Sequence, residues 1–216
     1  MHTLAEENYL KAIYKLSLIA ENVSTNQIAA ELATKASSVT DMLRKLADKL
    51  LINYTRYQGV SLTQTGEKVA VNIIRRHRLW EYFLVEKLHF KWDEVHEMAE
   101  EMEHISSNEL IDRLDEFMGF PTRDPHGDPI PDCNGNFKTN DLKAISTIDV
   151  NTCGIISGVR DHSSAFLRYL EKQGLTIGKK ITIKEIITYD NTVVLQMDNK
   201  DLQISRDVAN NLLIAL

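Results

Sequence analysis

Apolar positions in the first half of the chain recur at helical spacing, and near its end they gather in short β-branched runs. Leu10, Ile13 and Tyr14 mark the apolar side of a first helix. Ser24 and Gln27 have the spacing of a capping box, so a second helix starts there and turns Ile28, Ala29 and Leu32 inward. Residues Ala33 to Ala36 end it. A third helix from about Ser37 and Ser38 buries Val39, Leu43 and Leu46 while Thr40, Asp41, Arg44 and Lys45 stay polar, which is a helix-turn-helix pattern. Ile52 to Tyr57 and Val60 to Thr63 then alternate around Gln58 and Gly59, predicting a β-hairpin wing.

From Thr63 the helical period continues to about Leu88, and another helix begins near Asp93. Ser106 with Glu109 reads as a second capping box, opening a helix that presents Leu110, Ile111, Leu114 and Phe117 and stops at Gly119. All four prolines lie between Phe120 and Cys133, which reads as a rigid, extended connector and the best domain boundary. Beyond Asp149 the runs 181–188 and 192–197, separated around Asp190 and Asn191, predict a small β-rich module.

A length of 216 residues with 43% hydrophobic and 26% charged positions fits two or three modest domains and excludes disorder. No apolar stretch approaches the ~20 residues of a membrane span. The acidic start, Met1 to Glu7, lacks the basic flank and apolar run of a secretory signal, so a cytoplasmic protein is expected. Cys133 and Cys153 have no CxxC spacing, which argues against a disulfide framework or a thiolate zinc site.

The net charge of −6 would count against a nucleic-acid partner, but its distribution is lopsided. Residues 1–76 carry ten Lys and Arg against seven Asp and Glu, whereas 77–119 carry four against twelve. The basic head makes the winged helix a candidate DNA-binding unit. Lys35, Arg44 and Arg56 are candidates for phosphate contacts, and Thr25, Asn26, Gln27, Ser37, Ser38, Thr40 and Asp41 complete the candidate DNA surface.

The acidic middle also holds His77, His89, His96 and His104. His77 and Glu81 are neighbours at i and i+4. Counted at ~100° per residue from His96, Glu100 lies at about 40°, Glu103 at about −20° and His104 at about 80°, one arc of a helix. Such stripes can hold a divalent cation, and a solvated acidic face accounts for either stripe alone. Carboxylate and imidazole donors without thiolate suit Mn(II) or Fe(II) in geometry, although Zn(II) and Cu(II) would bind if offered. The large residues Leu79, Trp80, Tyr82, Phe83 and Leu84 exceed what one thin helical layer needs and favour a dimer interface, burial within one subunit being the alternative.

Taken together, the segments 6–16, 37–52, 62–68, 75–84, 95–107 and 125–131, with the patterns HRLxE, VHxxAxxxEH and PxGxPIP, resemble the diphtheria toxin repressor and manganese transport regulator family over essentially the whole chain. The resemblance implies a mainly α fold with a small β module. Its parts would be a winged helix-turn-helix over 1–72, a helical dimerisation and metal-binding domain with the Pro-rich linker over 73–140, and a FeoA-like small β-barrel over 150–216. It further implies a primary metal site of Asn8, Glu100, Glu103 and His104, and a second of His77, Glu81 and His96 completed by Asp161, with His162 as local competitor. Glu100 stands where iron-type members carry Cys, which favours Mn(II), with Fe(II) the alternative. Asn8 brings no charge where relatives carry Asp or Met, and Lys11 stands where the manganese regulators have a second carboxylate.

On this reading metal joins the DNA-binding head to the dimer domain. The two recognition helices of a homodimer are then held about 34–36 Å or a multiple apart on a palindromic duplex. An iron-dependent repressor of the same family is the alternative, as is a metal-responsive protein without DNA recognition. A two-metal hydrolase is the rival enzyme class, but no nucleophile elbow, phosphate loop or HExxH occurs, so no enzyme is expected.

Overall fold

The computed structural model, which describes residues 2–20, 22–55, 59–138 and 141–216, begins with three helices and a hairpin: α1 (Leu4–Ser17), α2 (Thr25–Glu31), α3 (Ala36–Asp48), β1 (Ile52–Thr55) and β2 (Gly59–Leu62). Thr3 with Glu6 and Ser24 with Gln27 form complete capping boxes, so α1 and α2 start where free amides find side-chain acceptors. α3 starts at Ala36 with Lys35 as an N-cap that offers no side-chain bond. Val39, Leu43 and Leu46 of α3 are fully buried, and they share a core with Leu10 and Ile13 of α1, Ile28 of α2 and Val60 of β2. The hairpin pairs antiparallel from Ile52↔Leu62 to Thr55↔Gly59, and Val23 bridges its outer strand at Val60. Arg56 and Tyr57, expected near the wing tip, lie outside the described residues.

The described residues divide into two units. The first comprises 1–77, 100–114 and 131–136, and the second 78–99, 115–130 and 137–216. The helices α4 (Gln64–Glu86), α5 (Val95–Met102) and α6 (Asn108–Phe117) each contribute to both. Thr63 starts α4, its hydroxyl accepting from Gly66 N at 3.1 Å. α5 stops at Met102, so Glu103 and His104 leave the helical arc expected of them and sit in the turn that follows. α6 is capped by Ser107, whose hydroxyl accepts from Leu110 N at 3.2 Å, and not by Ser106; the helix begins one residue later than the pattern suggested.

In the second unit, a six-stranded antiparallel sheet has the order β3-β8-β4-β5-β6-β7, from β3 (Lys143–Ala144), β4 (Cys153–Val159), β5 (Lys180–Ile186), β6 (Val193–Met197), β7 (Lys200–Ile204) and β8 (Leu212–Ala215). Irregular register between Ile156 and Gly158 and between Ile183 and Glu185 marks two bulges, which bend and twist a sheet locally. Among the described residues β3 and β7 do not pair, so the sheet is open where a closed barrel was expected; β3 contributes only two residues to that edge. Helices α7 (Ser164–Gln173) and α8 (Arg206–Asn211) complete this module around Ile156, Leu167, Leu170, Ile183 and Leu195.

Residues 121–130 are not an extended connector. Asp124 Oδ1 accepts from His126 N at 2.8 Å and Asp128 N at 3.0 Å, Asp124 N donates to Asp128 O, and Ile130 N donates to Thr122 O. The segment is thus a tight folded turn closed between Asp124 and Asp128, with Pro125 inside it. Val159 N donates to His126 O at 3.0 Å, which joins the turn to β4. Gly127 allows the approach: its φ is +91°, and a Cβ there would lie 2.1 Å from Ser157 O. No helix among the described residues is long and apolar enough to cross a membrane.

Candidate metal centres and nucleic-acid interface

The winged-helix surface is polar where its core residues are not. Asn26, Gln27, Lys35, Ser37, Ser38, Asp41 and Arg44 are exposed, and Thr25 and Thr40 half-buried. Ser24, Thr25, Asn26, Thr40, Arg44, Tyr54 and Gly59 line a shallow depression between α2, α3 and the hairpin, of about 650 Å³. Among the described residues Arg44 reaches only Asp41, at 3.4 Å, and both are exposed, so the pair leaves the guanidinium available to a phosphate.

Within the first unit, Glu103 is fully buried. Its Oε1 lies 2.6 Å from Lys11 Nζ and its Oε2 2.7 Å from His77 Nδ1. Burial alone would raise its carboxyl, but the His77 hydrogen bond and the Lys11 charge outweigh that and hold it below the usual carboxylate range. Glu100, which is exposed, is 3.4 Å from the same Nζ. His104 Nδ1 lies 2.6 Å from Glu7 Oε2, and Glu7 Oε1 lies 3.6 Å from Arg76. Asn8 is half-buried and makes no side-chain hydrogen bond among the described residues. Glu7 therefore occupies the place beside His104 expected of Asn8. The donors of this first set are engaged by Lys11, His77 and Glu7, and the ammonium repels a divalent ion at Glu103.

The second unit gathers a different set. Ligand atoms of Glu81 on α4, Asp124 and His126 all lie within 4.8 Å of one another, and all three residues are buried. His126 Nε2 is bound to Trp92 O at 2.8 Å, which orients the ring. Its Nδ1 faces Glu81 Oε2 at 3.6 Å and has no hydrogen-bond partner among the described residues. A buried ring nitrogen aimed at two carboxylates is the donor arrangement of a metal ligand whose other nitrogen is fixed by a carbonyl.

Burial pushes the Asp124 carboxyl up, as do the charges of Glu81 and Asp128, to about 7. Burial opposes charge on His126, but the facing Glu81 carboxylate overcomes it and raises the imidazole to about 9. His96 Nδ1 lies 3.2 Å from Glu81 Oε1, on the other oxygen. Arg78 sits 3.7 Å from Asp124 and 2.9 Å from Asp128. His162 stacks on His126 with ring centres 4.9 Å apart, and burial lowers its imidazole. Asp161 Oδ1 instead accepts from Ser163 N at 2.8 Å.

Asp124 and His126 were missed in the sequence because the prolines around them read as a spacer. The legible signal was the acid and imidazole two residues apart inside PHGDP and its preceding Asp.

Residues 1–60 match the iron dependent repressor N-terminal DNA binding domain, 63–132 the iron dependent repressor metal binding and dimerisation domain, and 143–216 the FeoA domain. The iron-dependent repressor IdeR of Mycobacterium tuberculosis is 31% identical over 125 residues, 58% of this chain and 54% of that protein, so the match spans about half of its length. The HTH-type transcriptional regulator MntR of Bacillus pumilus is 32% identical over 120 residues, 56% of this chain and 83% of the regulator. A solved manganese-dependent transcriptional repressor in complex with manganese has a TM-score of 0.86 at 30% identity, covering 97% of this chain and 98% of its own. Matched in order by these three domains and over 97% of its length by that fold, the chain belongs to the iron-dependent repressor family, the group of the diphtheria toxin repressor and the manganese transport regulators.

Proposed function

We propose that this protein is a Mn(II)-responsive, DNA-binding transcriptional repressor of metal-uptake genes that acts in the cytoplasm as a homodimer on a palindromic duplex, with Fe(II) as the alternative metal. The observation that carries this reading is the buried Glu81–Asp124–His126 cluster, with His126 Nδ1 turned toward Glu81, in a chain whose head is a winged helix. Glu81, Asp124 and His126 would hold the ion. Two carboxylates and one imidazole, without thiolate, are hard and borderline donors suited to Mn(II) or Fe(II). A bound dication would take over from the His126 proton in facing Glu81 and Asp124.

Trp92 O fixes the His126 ring, and Asp124 accepts two backbone amides, so both side chains are held in place before any ion arrives. Arg78 balances part of the charge on Asp124, and His96 Nδ1 lies 3.2 Å from Glu81 Oε1. Glu100, Glu103 and His104 form the second candidate set.

The polar faces of α2 and α3 with Arg44 and Lys35 supply DNA contacts. Ile111 and Leu114 of α6 are buried while Leu110 and Phe117, two turns apart on the same helix, are exposed. This supports dimer contact along α6. Leu79, Trp80 and Leu84 are buried within the chain and contribute less to such an interface than their size suggested. The matches to the iron dependent repressor DNA binding domain and metal binding and dimerisation domain support a regulator over a hydrolase.

The test is fluorescence anisotropy with a duplex selected from a random library by the Mn(II)-loaded protein. Affinity should rise about 5- to 150-fold with Mn(II), the usual range of coupling between two ligands. Equal affinity with and without Mn(II) and Fe(II) would overturn the reading. Sedimentation should give a dimer; a monomer at micromolar concentration with metal present would overturn that part.

A further inference from the structure

Lys11 projects from α1 and is almost wholly buried, at 7% exposure. A buried ammonium is rare unless its charge is matched. Here its Nζ is 2.6 Å from Glu103 Oε1 and 3.4 Å from Glu100 Oε1, so one side chain of α1 contacts two carboxylates borne beyond position 99. The second oxygen of Glu103 is taken by His77, and Glu7, one turn before Lys11 on the same helix, takes His104. All of these residues belong to the first unit. The position a divalent ion would take against Glu103 is thus beside a fixed positive charge, and the two compete for the same oxygen.

We propose that Lys11 is the resident cation of this carboxylate set: its ammonium ties α1 to Glu100 and Glu103 in the metal-free protein, and a divalent ion gains Glu103 only by displacing it. The inference rests on the metal-responsive reading for its second half alone. Lys11 then has two opposed effects. It holds α1 in place before metal arrives, and it raises the metal concentration at which this set is occupied. A lysine that merely packs would do the first without the second.

The experiment uses the full chain with Lys11→Met, which keeps length and removes charge, in the His126→Ala background so that manganese at the other cluster does not mask the result. Mn(II) titration followed by electron paramagnetic resonance should show binding at least tenfold tighter than in His126→Ala alone, and adding Glu103→Gln should abolish the gain. Lys11→Arg should give no gain. Without metal, hydrogen exchange of residues 4–17 should be faster in Lys11→Met than in the wild type. Unchanged Mn(II) affinity in Lys11→Met, or unchanged exchange, would overturn the proposal. Should Lys11→Met not fold, Glu103→Gln with Lys11 intact gives the same exchange test: faster exchange of 4–17 supports the tie, and no change overturns it. The exchange measurement needs no metal, so a chain that bound no manganese would overturn the metal assignment while exchange still decided the tie.

Discussion

Gly127→Ala tests whether the turn bearing Asp124 and His126 owes its shape to close backbone approach. Gly127 has φ +91°, and an added Cβ would lie 2.1 Å from Ser157 O and 2.4 Å from Gly158 Cα, both backbone atoms of β4. Placing a side chain at positive φ costs about 1–2 kcal/mol. Forcing extra volume into a packed contact adds about 1–3 kcal/mol. The sum, about 2–5 kcal/mol, is a large part of the 5–15 kcal/mol that holds a typical domain together. At about 2–4 °C per kcal/mol for a chain of this size, the melting midpoint should fall by roughly 4–20 °C.

Gly119→Ala is the control. It has φ +77°, and a Cβ added there would meet nothing within 4 Å, so it carries the dihedral cost without the collision. Calorimetry of both variants without metal should show Gly127→Ala lower by the equivalent of about 1–3 kcal/mol. Because the turn must move to relieve the collision, Gly127→Ala should also weaken Mn(II) binding, whereas Gly119→Ala should not. Equal melting midpoints for the two variants would refute the reasoning.

His126→Ala should weaken Mn(II) binding by more than the ~10–100-fold typical of losing a supporting partner, since it removes a proposed ligand; isothermal titration checks this. His126 and Asp124 are both raised above their ordinary values, to about 9 and about 7, so the stabilisation they give the metal-free fold is present at low pH and lost as pH rises, through 7 for Asp124 and through 9 for His126. Urea unfolding of metal-free protein at pH 6.5 and 9 should therefore show lower stability at pH 9, and Mn(II) affinity, which needs both groups deprotonated, should fall as pH drops below 9 and more steeply below 7. Arg44→Ala should weaken DNA binding about equally across duplex sequences and reduce the slope of log affinity against log salt by about 1, measured by anisotropy over a salt series.

What could be read from the sequence was whatever depends on near neighbours. The capping box at Ser24 and Gln27, the apolar period through Val39, Leu43 and Leu46, and the alternation of the wing are local, and each element formed where its own residues stabilise it. The error of one residue at Ser107 is of the same kind, since Ser106 and Ser107 offer equal hydroxyls and only the path of the chain selects one. The open sheet differs because closure depends on whether β3 and β7, at opposite ends of the module, meet.

The candidate sites divide along the same line. His77 with Glu81 was visible as a helical stripe, but the arc drawn through Glu103 and His104 assumed a helix that ends at Met102. Glu81, Asp124 and His126 come together because Gly127 packs against β4 and Trp92 O anchors a ring, contacts between segments distant in sequence. Lys11 against Glu103 is the same case: a lysine at that position reads as a surface charge until burial removes the water that would otherwise solvate it, and its partners are then decided by what tertiary packing places within reach.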